Sequence, residues 1–272
     1  MKTLIRCGAL TCAVVLGACS GDSTGTQATP LLNADVATVV ADNTGDDVDI
    51  MREPVFFVAL PIGAGPQFGA GTGDLNPSNC TYNSSTQRLE CPSVTRAGTL
   101  TITRSYAFWD ASNTPQNHYD ALLTAKANIQ THITGERSGD NWSASIDRSR
   151  DMTVTGLAGT ETTRTWNGTG TSTATHSRHN DSGDERSYNI SCTLTVADVV
   201  VPVPNGDTPH FPLSGTITHN CTITFVGGPR DGQTVQRTAT VTFNGTATAT
   251  VNVGGKSFDI DLTNRHRGPQ RP

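Results

Sequence analysis

The sequence predicts an all-β protein, an antiparallel meander of about eleven long strands that forms a curled sheet or a partly closed barrel. Three observations lead there. The 272-residue chain is 16% charged and 6% aromatic, and its polar half is mostly neutral Thr, Ser, Asn and Gly. Soluble domains average about 25% charge, and these neutral residues are weak helix formers, so a helical bundle is disfavoured. From Pro54 onward apolar and polar residues alternate with period two, the mark of half-buried strands. The cysteines, the turn residues and the alternating face also agree on common hairpin registers.

At the beginning of the chain Lys2 and Arg6 precede an apolar run, Ala9 to Leu16, that is too short to span a bilayer. The run meets Leu16-Gly17-Ala18-Cys19. This segment resembles the signal of bacterial lipoproteins, and the resemblance covers these residues alone. It implies cleavage after residue 18, a diacylglyceryl group on the Cys19 thiol and membrane attachment through acyl chains. Ser20 stands where, in enteric members of this class, an Asp retains the protein at the inner membrane. Its identity therefore implies the outer membrane, on either the periplasmic or the surface side.

Losing residues 1–18 removes two basic residues and no acids. The remaining 17 basic and 24 acidic residues carry a net charge of −7, which argues against nucleic acid as a partner. No later segment has the run of about 18 apolar residues that a membrane-spanning helix requires. The aromatic content is also thin for the girdles of a transmembrane barrel.

Residues 19–50 contain few large apolar side chains and read as a lipidated Cys followed by a flexible tether, leaving 51–272 as a single all-β domain. Two motifs in the tether match chemistry only superficially. Gly21-Asp22-Ser23-Thr24-Gly25 fits a nucleophile elbow but lacks the strand that must precede it. The acidic run around Asp46 lacks the spacing and terminal Glu of a calcium loop and reads as solvated linker.

Within the β region, Leu100, Ile102, Tyr106 and Phe108 share one face of a strand, as do Trp142, Ala144, Ile146, Met152 and Val154. Residues 119–134 fit a strand, with Tyr119, Ala121, Leu123, Ala125, Ala127, Ile129 and Ile133 on one side. A helix template fits the same segment in part. Gly168, Gly170, Gly215 and Gly245 interrupt strand patterns and mark candidate bulges or bends.

Cys7 and Cys12 leave with the signal, and lipid occupies Cys19. The even set that remains, Cys80, Cys91, Cys192 and Cys221, reads as two disulfides in an exported protein, and no CxxC pair suggests zinc. Setting Cys192 opposite Cys221 places Gly206-Asp207 in a two-residue loop suited to a type II′ turn. That register also pairs Tyr188 with Phe225, Ile190 with Ile223, Val196 with Ile217 and Val200 with Leu213. A Gly254-Gly255 loop likewise pairs Val251 with Phe258, Ala249 with Ile260 and Ala247 with Leu262. Cys80 opposite Cys91 sets Tyr82 against Leu89 across a polar turn.

Candidate sites are sparse. His176 and His179, with Asp181, Asp184 and Glu185 nearby, have metal-ligand composition, but two histidines three apart on a strand face opposite ways unless Arg178 lies in a turn. Arg148 and Arg150 fall on the apolar side of their strand and need a carboxylate, an aromatic ring or solvent. Trp166 is placed to stack on Arg150 across a hairpin whose loop is Leu157 to Gly159, so Arg148, Arg150 and Trp166 read as a structural contact or rim charges, with a ligand anchor as the alternative. The eight Asn-x-Ser/Thr triplets are what a chain rich in these residues makes by chance. The basic tail Arg265, His266, Arg267 and Arg271 reads as a frayed end or a weak contact with lipid head groups.

No Ser/His/Asp or Cys/His arrangement and no phosphate-binding Gly loop can be placed, so neither an enzyme nor a cofactor is expected. Two readings remain for a lipid-anchored envelope protein. In one, the curled apolar face holds a hydrophobic small molecule. In the other, a structural or protein-interaction module fills that face with its own side chains, Pro54 to Ile62 being the predicted plug.

Overall fold

The computed structural model describes residues 24–52, 80–96, 99–120, 122–139, 142–158, 161–179, 185–203 and 211–263. Cys19, the predicted plug Pro54 to Ile62, the Gly206-Asp207 turn and the basic tail lie outside them. The described chain contains a helix, α1 (Thr24–Arg52), followed by thirteen strands. The first five are β1 (Thr81–Asn83), β2 (Arg88–Glu90), β3 (Val94–Arg96), β4 (Leu100–Asp110) and β5 (Pro115–Gln116). Next come the long strands β6 (Thr124–Gly139), β7 (Trp142–Thr155), β8 (Thr163–His179), β9 (Glu185–Pro202) and β10 (Ser214–Val226). The last three are β11 (Thr234–Thr242), β12 (Thr248–Val253) and β13 (Lys256–Asp261).

All thirteen belong to one antiparallel sheet, ordered β1-β2-β4-β6-β7-β8-β9-β10-β11-β12-β13, with β3 and β5 also paired to β4. With the short strands β3 and β5 set aside, neighbours in the chain are neighbours in the sheet, as a meander requires. The sheet curls without closing, so β1 and β13 remain its two edges. Strands of 16 to 18 residues, such as β6, β8 and β9, extend roughly 50–60 Å at the usual rise per residue. The right-handed twist that accumulates over such lengths gives the sheet a concave face.

The predicted registers hold. Cys192 and Cys221 are bonded and lie opposite each other, with Tyr188 against Phe225, Ile190 against Ile223 and Val196 against Ile217. Farther along, the register slips by one residue and Val200 pairs with Ser214 instead of Leu213. Gly215 sits in that bulge at φ +99, where a Cβ would lie 2.4 Å from the Asp198 carbonyl oxygen, so both conformation and contact require glycine. Cys80 is bonded to Cys91 with Tyr82 opposite Leu89, and the Gly254-Gly255 hairpin pairs Val251 with Phe258 and Ala249 with Ile260.

The two disulfides differ in loop length and burial. Cys192–Cys221 spans 29 positions inside the core, whereas Cys80–Cys91 spans 11 at the sheet's edge. Chain entropy alone assigns roughly 3.5 and roughly 3 kcal/mol to loops of these sizes. Removing Cys192 and Cys221 as a pair also deletes buried contacts. Denaturant titration should therefore find that Cys192→Ala/Cys221→Ala costs more than Cys80→Ala/Cys91→Ala, and the reverse order would contradict this placement.

Three expectations need correction. Residues 119–134 are neither helix nor one long strand. β6 starts at Thr124, and Leu122 and Leu123 are exposed in a turn whose backbone N–H groups donate to the Asp120 carboxylate. A bulge opposite Asp110 then turns Thr124 inward together with Ala127, Ile129, Thr131 and Ile133. Trp166 pairs with Val154 and Arg150 with Gly170, so no stack forms between Trp166 and Arg150. The connection is longer than the predicted Leu157 to Gly159 loop. The third correction concerns most of the predicted tether, because residues 24–52 form α1.

α1 is a poor helix on propensity. It carries Gly25, Pro30, Gly45 and several β-branched residues, and it has no acidic residue in its first turn. Tertiary packing is what sustains it. Leu32, Val36, Val39, Val40, Val48, Ile50 and Met51 are all buried. They join one core with the inward residues of β4 and β6 to β13, including Tyr106, Trp166, Leu194, Ile217 and Val251. A smaller apolar cluster, Leu100, Ile102, Ile133, Ala144, Ile146 and Ala174, lies apart from the helix.

Candidate functional site

The concave face is the place where this fold could hold something, and α1 occupies it. From Leu32 to Met51 burial extends around the helix, because Asn33, Asp35, Thr38, Asn43, Thr44 and Asp47 are as enclosed as the apolar residues of that stretch. A helix buried on all sides needs partners for every polar group it carries inside. The sheet supplies arginines in register with the helix acids.

On the middle strands, inward positions form rows across the sheet. One row runs Ile133, Arg148, Ser172, Cys192, Cys221 and Arg237, and the adjacent row runs Arg104, Thr131, Arg150, Gly170, Leu194 and His219. Arg148 donates to Asp42 at 2.6 Å and to Asp46, and Arg137 donates to the same two carboxylates at 2.7 and 2.9 Å. These four side chains form a two-by-two ion cluster. Burial would raise the Asp42 pKa, but Arg148 and Arg137 together hold it below the usual carboxylate range.

Arg150 Nε donates to Asp47 at 2.7 Å, and each side chain is 2% exposed. Gly170 makes room for this pair, since a Cβ there would lie 2.7 Å from Arg150 Cδ. Arg150 Nη1 donates to the carbonyl oxygens of Ser149 and Thr171, which anchors the guanidinium across the strand. Burial raises the Asp47 pKa more than Arg150 lowers it. Nearer the helix start, Asp35 accepts from Arg186 and from the Tyr188 hydroxyl at 3.0 Å, and Arg237 donates to Asn33 at 2.9 Å. Burial first, and then the Asp35 carboxylate, push the Tyr188 pKa upward.

The need of Arg148 and Arg150 for partners was legible in their position, and the structure supplies carboxylates. The segment that provides these carboxylates was not identified from the sequence. Of the two candidate metal histidines, His176 is buried on the inward face of β8, and His179 lies three positions on in the same strand. Asp181 and Asp184 are outside the described residues. Among the described residues no group of His, Cys, Asp and Glu has the proximity to bind a metal ion.

His219 escaped notice in the sequence. It is completely buried on β10 between Leu194 and Ala239, and its pKa is pushed down to about 3 by burial, then by Arg150 and Arg148. The fold accepts the neutral ring, while the unfolded chain takes up a proton near pH 6.5. The unfolded state then binds more protons in the interval between these values, so stability falls as pH drops from about 6.5 towards 3, by up to ~1.4 kcal/mol per pH unit. Asp47, with its raised pKa, acts in the opposite sense, so comparison of variant and parent is needed to isolate the histidine. His219→Leu should remove about 2 kcal/mol of the stability lost between about pH 7 and about pH 5. Urea titrations at the two pH values check this, and parallel losses in both proteins would contradict it.

On the outer face the rows are uncharged for the most part. A groove of about 920 Å³ lies over Thr103, Gln130, Ser149, Thr171 and Thr193, with Arg88 and Glu90 of the first hairpin beside it. Arg88 is tied to Ser105 at 2.7 Å and to Asn128 at 2.9 Å, so it braces the hairpin against the sheet. The side chains that line it are mainly Thr, Ser and Gln, with His132 and Asp151 among them. No family model, curated protein or solved structure matches the chain.

Proposed function

We propose that this is a lipid-anchored protein of the bacterial cell envelope, attached through Cys19, whose curled sheet is filled by its own N-terminal helix and which serves a structural or protein-interaction role. The observation that carries this reading is the burial of α1 along the concave face, with its inward acids matched to arginines of the sheet. A carrier of hydrophobic molecules would need that face accessible, and a ligand there would have to displace both the apolar packing and the ion pairs. Membrane attachment rests on the Leu16-Gly17-Ala18-Cys19 signal, with outer-membrane delivery following from Ser20. No catalytic role is assigned.

Native mass spectrometry of protein extracted from its own membrane separates the two roles. The expected result is a mass equal to the acylated chain alone, with no uptake of an apolar dye. A co-purifying lipid at one per chain would overturn the self-filled reading in favour of the carrier. The anchor itself is tested by Cys19→Ala, which should move the protein from the membrane to the soluble fraction, because acyl chains at ~0.8 kcal/mol per buried CH₂ are its proposed hold on the bilayer. Membrane recovery at the parent's level would contradict the anchor.

A further inference from the structure

We infer that the end of the sheet bearing the β8–β9, β10–β11 and β12–β13 turns is held facing the lipid bilayer, with the other end directed away. This rests on the proposed lipidation of Cys19. The direction of α1 is set by its contacts. Asn33 lies against the β12–β13 turn, where a Cβ on Gly254 would come within 2.8 Å of its amide nitrogen, and Asn33 also accepts from Arg237. Asp35 meets Arg186 near the start of β9. At the opposite end, Arg52 lies 5.0 Å over the Phe211 ring, beside the β9–β10 connection. The chain therefore enters the concave face at the β12–β13 end and leaves at the far end.

Chain length converts this direction into an orientation. From Cys19 to Thr24 is five residues, which can reach at most ~18 Å when fully extended. From Thr24 to Asn33 the helix advances only ~14 Å, whereas all 29 residues of α1 span ~44 Å. The near rim is thus tied within ~32 Å of the lipidated residue, and the far rim lies most of a helix length beyond it. The ion pairs of Asp35, Asp42, Asp46 and Asp47 fix α1 lengthwise, so the domain cannot slide along its helix or reverse on it. A long flexible tether would have left either end free to approach the membrane. The exposed Leu122 and Leu123 lie at the far end, where they would point away from the lipid towards whatever the protein meets in the envelope.

The test places a donor fluorophore on Lys256→Cys at the near end or Ala111→Cys at the far end of the full-length protein, with both disulfides intact. Each protein is reconstituted into vesicles carrying an acceptor on the lipid head groups. Energy transfer should be several-fold greater from position 256, and insertion of a long Gly/Ser linker between Ser23 and Thr24 should abolish the difference. Mass analysis of the anchor peptide is run on the same samples. If the peptide is acylated and transfer is equal from both sites, or greater from position 111, the orientation is wrong while the anchor stands. A peptide without acyl chains would overturn the anchor and the orientation with it.

Discussion

Deleting residues 24–52 is expected to leave a chain that does not fold. A tether can be removed without harm, whereas α1 contributes seven large apolar side chains to the core: Leu32, Val36, Val39, Val40, Val48, Ile50 and Met51. At ~1.5–3 kcal/mol for each such residue buried, their transfer term is on the order of 10–20 kcal/mol, comparable with or above the 5–15 kcal/mol that holds a whole domain folded. Removal would also leave Arg148 and Arg150, each almost fully buried beside the helix, with no carboxylate from α1. Circular dichroism with thermal melting checks this. A soluble β protein with a cooperative transition near the parent's would show that the sheet does not depend on the helix. Supplying residues 24–52 as a separate peptide should restore folding in part, which distinguishes loss of the core from a general defect of the truncated chain.

The second large effect is expected at Asp47 and Arg150. Asp47→Leu alone should cost about 3–5 kcal/mol, because it strands a buried guanidinium, and Arg150→Met should cost a similar amount by stranding the carboxylate. The double variant should recover most of this loss, since two apolar side chains remove both desolvation penalties. Among the described residues Asp47 Oδ2 and Arg150 Nη2 have no hydrogen-bond partner even in the intact pair, so apolar replacement also relieves two buried polar groups. A coupling energy of several kcal/mol in the double-mutant cycle is the expected readout. Additive losses would mean that the two side chains do not meet in the folded protein.

The β architecture was readable because its signals are local or nearly so. Alternation within a strand, a Gly-Gly turn and cysteines at matching distances from a turn all constrain one hairpin at a time, and a meander is a succession of hairpins. The bulge at Gly215 was readable as a glycine that interrupts a strand pattern, and the structure places a register slip there. The inward turn of Thr124 was not readable, because one extra residue in a strand leaves composition and periodicity almost unchanged. The helix was hidden for a different reason. Its acids look like solvated linker until their partners are known, and those partners lie 91 to 153 positions away in the chain. Because α1 is buried all round from Leu32 to Met51, it also lacks the single apolar stripe by which a surface helix is recognised. Arg148 and Arg150, on the apolar side of a strand, were the visible half of this arrangement.

Amide hydrogen exchange on the mature, full-length protein tests the central claim that α1 is part of the core. The account predicts that amides from residues 32–51 are protected to nearly the same degree as those in the middle of β8 and β9, because opening the helix requires breaking the same apolar core. Exchange of these amides at the rate of an unstructured chain, while the sheet stays protected, would contradict it.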